Sequence, residues 1–187
     1  MKLCNISKSY GDKVIFQDYN DFFEQGQRYC LMGESGRGKT TLLRMIAGLE
    51  SYDSGMIVYH GEKKFSMVFQ ENRLFEWETV EKNLCLVQNP YQKETIEEHL
   101  QRVCLQETLQ KKVSELSGGM KRRVAIVRAM LFDSSIILMD EPFTGFDGDT
   151  KKAVIQYLLE EQRKRTMVIS THAQEDVDLL KAKKILL

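Results

Sequence analysis

Residues Gly33, Glu34, Ser35, Gly36, Arg37, Gly38, Lys39 and Thr40 spell the pattern G-x-x-x-x-G-K-[ST]. An apolar run at 29–32 precedes them, and a helix-compatible run beginning at Thr41 follows. No other feature restricts the chain as much. A strand, a glycine loop and a helix in that order make a phosphate-binding loop. Glycines let backbone N–H groups converge on an anion, and the helix start adds donors and a partial positive charge. In this setting Lys39 reaches the β- and γ-phosphates of a nucleotide, and the Thr40 hydroxyl binds Mg²⁺. Residues 33–41 are therefore candidate nucleotide ligands. The competing reading is a glycine-rich turn with an incidental Lys-Thr pair.

A second constellation lies about a hundred positions downstream. The apolar run Ile136, Ile137, Leu138, Met139 ends in Asp140 and Glu141. A buried strand can present carboxylates only at its carboxyl end, where ligands bind in open α/β sheets. In a nucleotide triphosphatase Asp140 would hold Mg²⁺ through a water, and Glu141 would polarise the attacking water as general base. The alternative is that both acids merely cap the turn before Pro142.

The remaining composition narrows the class. The 187 residues are 42% hydrophobic and 29% charged, enough to bury a core. Lys+Arg and Asp+Glu both number 27, so the formal net charge is zero. That argues against a nucleic-acid partner held by a general positive field. The sequence contains no apolar run long enough for a membrane span and no signal-type leader, which predicts a cytosolic chain. Cys4, Cys30, Cys85 and Cys104 have no metal-type spacing and read as reduced thiols packed inside. His60 and His99 read as surface residues.

Periodicity supplies the outline. Short β-type runs at 3–7, 14–16 and 20–23, with a turn at 10–13, form an N-terminal antiparallel β subdomain. Further strands are predicted at 28–32, 56–59, 65–69, 136–139, 166–170 and 184–187. Val80, Leu84 and Val87, then Ile96, Leu100 and Val103, repeat at helical spacing within 79–115, with Asn89-Pro90 breaking the first helix. Ser117 is a candidate N-cap for a helix running to about residue 132. Helices are also predicted at 149–163 and 173–180. Strands alternating with helices imply an α/β fold with a mainly parallel sheet flanked by helices. The whole, 1–187, reads as one domain: 1–69 and 116–187 as catalytic core, 70–115 as an inserted helical subdomain.

Between the two constellations stands Leu116, Ser117, Gly118, Gly119, Met120, followed by a basic helical run. With this segment the chain resembles the nucleotide-binding subunit of ABC transporters, whose signature is L-S-G-G-Q; Met120 replaces the Gln. The resemblance covers essentially the whole chain, in order, and implies a P-loop NTPase fold. It also assigns roles. Tyr10 would stack on adenine, and Gln70 would touch Mg²⁺ and the attacking water. Asp147 would lie in a loop crossing a dimer interface, and His172 would contact the γ-phosphate. Ser117, Gly118 and Gly119 would hold the nucleotide of a second copy.

The resemblance thus implies an ATP- and Mg²⁺-dependent hydrolase working as a head-to-tail, ATP-dependent homodimer. The dimer would be peripheral to the cytoplasmic face of the membrane and would power a separate permease, with an extracytoplasmic solute-binding protein as a candidate further partner. Residues 70–84 resemble importers of the nitrate, sulfonate, taurine and pyrimidine-precursor group, which implies import of a small solute. Efflux, lipid extraction or a soluble non-transport ABC ATPase is the alternative. Phe75 and Trp77 are either part of a groove for the permease or core of the helical subdomain. Family members continue past the last strand, so the chain is either a minimal subunit or a shortened one.

Overall fold

The computed structural model describes residues 1–88 and 90–187. The chain forms two compact units: Met1–Met67, Ser134–Asp140 and Lys164–Leu187 in one, Val68–Asp133 and Glu141–Arg163 in the other.

The first unit begins with β1 (Lys2–Tyr10) and β2 (Lys13–Phe22), joined by a tight turn and paired antiparallel. β2 replaces the two short strands expected at 14–16 and 20–23. Its polar middle, Gln17-Asp18-Tyr19, breaks the apolar pattern but not the ladder. Asp18 absorbs a register irregularity at φ +49°, and its N–H is taken by Ser7 Oγ at 3.1 Å. β3 (Arg28–Met32) leads through the glycine loop into α1 (Lys39–Ile46). β4 (Ser54–Val58) pairs with the other edge of β1, and β5 (Phe65–Val68) enters a second sheet.

The second unit holds α2 (Val80–Cys85), α3 (Lys93–Arg102), a 3₁₀ turn (Val113–Glu115) and α4 (Gly118–Leu131). The first helix is shorter than the spacing of Val80, Leu84 and Val87 suggests. Asn89, expected with Pro90 to break it, lies outside the described residues. Thr79 caps α2, accepting from Lys82 N–H at 3.2 Å. The loop at 105–112 turns back on it, so that Val80 and Glu81 N–H donate to Lys111 and Leu109 carbonyls at 3.0 and 2.9 Å. The orphan donors of the first turn are thereby satisfied by non-helical chain.

The chain then supplies β6 (Ile136–Asp140) to the first unit, α5 (Gly148–Glu161) to the second, and β7 (Thr166–Ser170), α6 (Gln174–Leu180) and β8 (Lys183–Leu186) to the first. The second sheet has the order β5-β6-β7-β3-β8; β6/β7, β7/β3 and β3/β8 are parallel. Every residue of β6 and β7 is buried, as expected of central parallel strands. Leu31, Leu42, Leu43, Ile46, Leu138 and Val168 close the core beneath the antiparallel sheet.

Expectations about burial also fail. His99 is buried at 8% exposure rather than on the surface, and its Nδ1 is hydrogen-bonded to the hydroxyl of fully buried Tyr157 at 2.8 Å. Of the four cysteines expected inside, Cys30 is buried, Cys4 and Cys85 are half-buried, and Cys104 is exposed, in a turn at φ +56° just after α3. Of the two readings of Phe75 and Trp77, the core one is excluded: they are 44% and 70% exposed, with ring centroids 5.5 Å apart.

Candidate functional site

The first unit gathers its chemistry at the carboxyl ends of β6, β7 and β3. Those strands are neighbours, and the register sets Ser170 opposite Asp140 on one side and Leu31 on the other. The ends of parallel strands are where such sheets bind ligands.

The glycine loop is shaped by what surrounds it. Gly38 sits at φ +93°, and a Cβ there would come within 2.5 Å of Ile15 Cγ2 and 2.9 Å of Phe16 Cζ. A Cβ at Gly33 would meet the Leu187 carbonyl at 2.7 Å. The chain at β2 and just past β8 therefore presses on the loop closely enough to require glycine at both positions. α1 starts from Gly38 with no side-chain cap and no acid in its first turn. A helix start left in this way offers its N–H donors and its positive dipole end to an external anion. Lys39 is 6% exposed, and its ammonium bridges the Gly33 and Glu34 carbonyls at 2.7 and 3.0 Å. Glu34, Ser35, Gly36 and Arg37 form the exposed rim.

Thr40 donates to Asp140 Oδ2 at 2.7 Å, and Ser170 donates to Asp140 Oδ1 at 2.6 Å. Asp140 is 3% exposed, and each of its carboxyl oxygens accepts from a hydroxyl. Hydroxyl and carboxylate oxygens side by side form a hard-oxygen donor set of the kind Mg²⁺ takes, beside a cationic cradle of the kind phosphate takes. The residues fit a magnesium nucleotide. Ser170 is a member of this cluster that sequence reasoning misses; its one signal there is a hydroxyl at the end of an apolar strand.

His172 is exposed and follows a fixed point: Thr171 N–H donates to Leu31 carbonyl at 3.1 Å, and Thr171 Oγ accepts from Ala173 N–H at 3.1 Å and donates to Asp176. Tyr10, 47% exposed, ends β1 at the hairpin whose Lys13 ammonium lies 3.8 Å from where a Gly36 Cβ would be. The Lys8 ammonium sits 4.8 Å from the Tyr10 ring centroid.

The second unit carries Gln70, Ser117, Gly118, Gly119, Glu141 and Asp147. Ser117 is the N-cap of α4, accepting from Met120 N–H at 3.3 Å. Nothing lies within 4 Å of a Cβ built on Gly118, and one on Gly119 meets only ordinary contacts. Glu141 stands at φ +46°, a left-handed backbone that a non-glycine residue adopts only under constraint. Asp147 caps α5, accepting from Thr150 N–H and Thr150 hydroxyl, both at 2.8 Å. These bonds hold its carboxyl below the ordinary range.

Comparison with known proteins agrees with this arrangement. The ABC transporter family profile matches residues 16–144. The aliphatic sulfonates import ATP-binding protein of Bacillus thuringiensis subsp. konkukian is 39% identical over 184 residues, covering 92% of this chain and 72% of the relative. The sulfate/thiosulfate import ATP-binding protein of Escherichia coli is 36% identical over 197 residues, covering 94% of this chain and 54% of the relative. Among solved structures, a dimeric bacterial ABC transporter cassette superposes with TM-score 0.84 at 26% identity, covering 100% of this chain and 93% of that one. A dimeric post-hydrolysis cassette bound to ADP and Pi superposes with TM-score 0.83 at 27% identity, over the same shares of the two chains. The sequence profile, the relatives and the fold agree: this chain belongs to the ABC transporter family, as one of its ATP-binding, ATP-hydrolysing subunits.

Proposed function

We propose that the chain hydrolyses ATP as half of a head-to-tail homodimer that drives a separate membrane permease and imports a small solute. The observation that carries the reading is the pair of glycines at the start of α4. The chain's own packing requires neither Gly118 nor Gly119. Glycine within a helix costs about 1 kcal/mol relative to alanine. Bare backbone there is useful to a second molecule's phosphates, approached closely by the amides of Ser117, Gly118 and Gly119.

The roles follow from the chemistry of each group. Lys39 and the α1 amides balance phosphate charge, Tyr10 stacks on the base, and His172 contacts the terminal phosphate. Thr40 and Asp140 would hold Mg²⁺ with their hydroxyl and carboxylate oxygens, and Gln70 would be its further ligand. When bound, the metal neutralises charge on the phosphate oxygens. Glu141 accepts the proton of the attacking water. Asp147 lies in the interface loop. If ATP binds the closed pair about 100-fold better than the open one, each site contributes about 2.7 kcal/mol to closure. Two sites then contribute about 5.5 kcal/mol, enough to invert the population of an open–closed equilibrium.

Among the described residues no helix is long and apolar enough to cross a membrane. A groove of about 420 Å³ lined by Phe75, Trp77, Glu78, Lys82, Cys85 and Leu86 offers exposed apolar surface for the permease's cytoplasmic segment. The relatives named as import ATP-binding proteins favour import and a station on the cytoplasmic face. An extracytoplasmic solute-binding protein would then deliver the solute.

Glu141→Gln tests the reading. We expect hydrolysis to fall by about 10²–10⁴-fold, the loss typical for a general base. ATP binding persists, and Mg-ATP shifts the variant to a dimer on size-exclusion chromatography. Normal turnover removes Glu141 from its role. A variant that stays monomeric with ATP bound overturns the dimer.

A further inference from the structure

α4 carries two arginines that grip one loop of its own unit. Arg122, 7% exposed, donates from Nη1 to the Phe69 carbonyl and from Nη2 to the Gln70 carbonyl, the latter at 2.5 Å. Farther along the helix, Arg128 Nη2 donates to the Arg73 carbonyl at 2.7 Å and to the Asn72 carbonyl at 3.4 Å. Between these anchors the Arg73 guanidinium stacks 3.7 Å from the centroid of the Phe69 ring. The segment from Phe69 to Arg73 contains no helix or strand, so these bonds stand where a ladder would be.

The placement of the Arg122 fork has a specific consequence. The Phe69 and Gln70 carbonyls belong to the two peptide planes that flank the Gln70 Cα. Peptide groups are planar, so fixing both planes fixes the φ and ψ of Gln70 and hence the direction of its Cα–Cβ bond. A guanidinium suits the task because its donors lie in one rigid plane, whereas an ammonium is a point charge on a flexible stem. Hydrogen bonds that involve a charged group are also stronger than neutral ones.

We propose that Arg122 is a positioning residue for Gln70. Its fork aims the glutamine side chain and makes the Gln70 loop move as one body with α4, whose first turn follows directly on Ser117. A displacement at the loop is thereby delivered to the signature end of the same helix. The proposal rests on the reading of Gln70 as a residue of the ATP site.

The test uses Arg122→Lys, which keeps the charge and the buried stem but loses the fork, together with Gln70→Ala and the double variant. We expect Arg122→Lys to lower kcat for ATP by about 10–100-fold, the scale of a small misplacement. KM should stay unchanged because the phosphate loop is untouched. In nucleotide-free protein, amide exchange over residues 69–73 should quicken while exchange in β6 does not. In the Gln70→Ala background, Arg122→Lys should lower kcat no further. An unchanged kcat in Arg122→Lys, unaltered exchange at 69–73, or a full additional loss in the double variant overturns the proposal. If Gln70→Ala itself leaves kcat unchanged, the reading of Gln70 has failed and the proposal falls with it. That outcome is distinguishable because it requires no change at Arg122.

Discussion

The Thr40 hydroxyl donates to Asp140 Oδ2 at 2.7 Å, although the two residues are 100 positions apart. The bond joins the last residue of the glycine-loop motif to the end of β6, and Ser170 completes it from β7. Both carboxylate oxygens of Asp140 are thus engaged by hydroxyls, which fixes the orientation of its side chain.

Ser170 therefore has a measurable role. Ser170→Ala leaves Asp140 Oδ1 without that donor and should cost about 1.5–3 kcal/mol of stability, the contribution of a hydrogen bond to a charged group. It should also raise the Mg²⁺ concentration needed for half-maximal ATPase activity. Chemical denaturation and a magnesium titration of the rate check both, and an unchanged magnesium requirement would limit Ser170 to packing.

Composite sites can be tested by mixing. Lys39→Ala disables the phosphate loop and Ser117→Arg the signature, so each homodimer should be inactive. In a head-to-tail pair formed from one copy of each, one site has an intact phosphate loop facing an intact signature. Mixing the two purified variants should restore ATPase activity, measured by phosphate release. Continued inactivity would mean that the two halves do not act across an interface.

Acid should weaken the second unit through His99. Burial pulls its imidazole below the ordinary value; Glu161 and Glu98 act in the opposite direction, while Arg102 and Arg163 reinforce the depression. Arg102 is itself paired with Glu161 and Glu160 at 2.6 and 2.7 Å and lies over the Tyr157 ring. The folded state resists a proton that the unfolded state accepts. Stability is therefore fully present above about pH 6.5 and is lost as pH falls below it through the depressed value. Urea unfolding of wild type and His99→Gln between about pH 7.5 and 5.5 should show a smaller acid loss in the variant. An equal loss would assign the effect to other groups.

Local chemistry explains which parts of the molecule are legible from residue order. Ser117 is readable as a cap because its hydroxyl serves an N–H only three residues away. The 136–139 run is readable as a buried strand because a strand covered on both faces is apolar throughout. His99 misleads because a histidine on a charged stretch looks solvated; Tyr157, 58 positions away, is what takes it inside. β2 looks like two strands because its polar middle is paired by β1 rather than by its own pattern. Arg122 looks like one of a basic run, and no spacing rule connects it to carbonyls more than fifty residues upstream.

The sequence by itself determined the phosphate loop, the acidic strand end, the signature cap and the alternation of strands and helices. Each depends on backbone conformation and burial periodicity within a few consecutive residues. The tertiary structure decided which distant groups meet: Thr40 and Ser170 on Asp140, Ile15 and Phe16 against Gly38, Arg122 on the carbonyls flanking Gln70. Strand order and helix packing fix those meetings, and one residue type can serve many partners until the fold selects one.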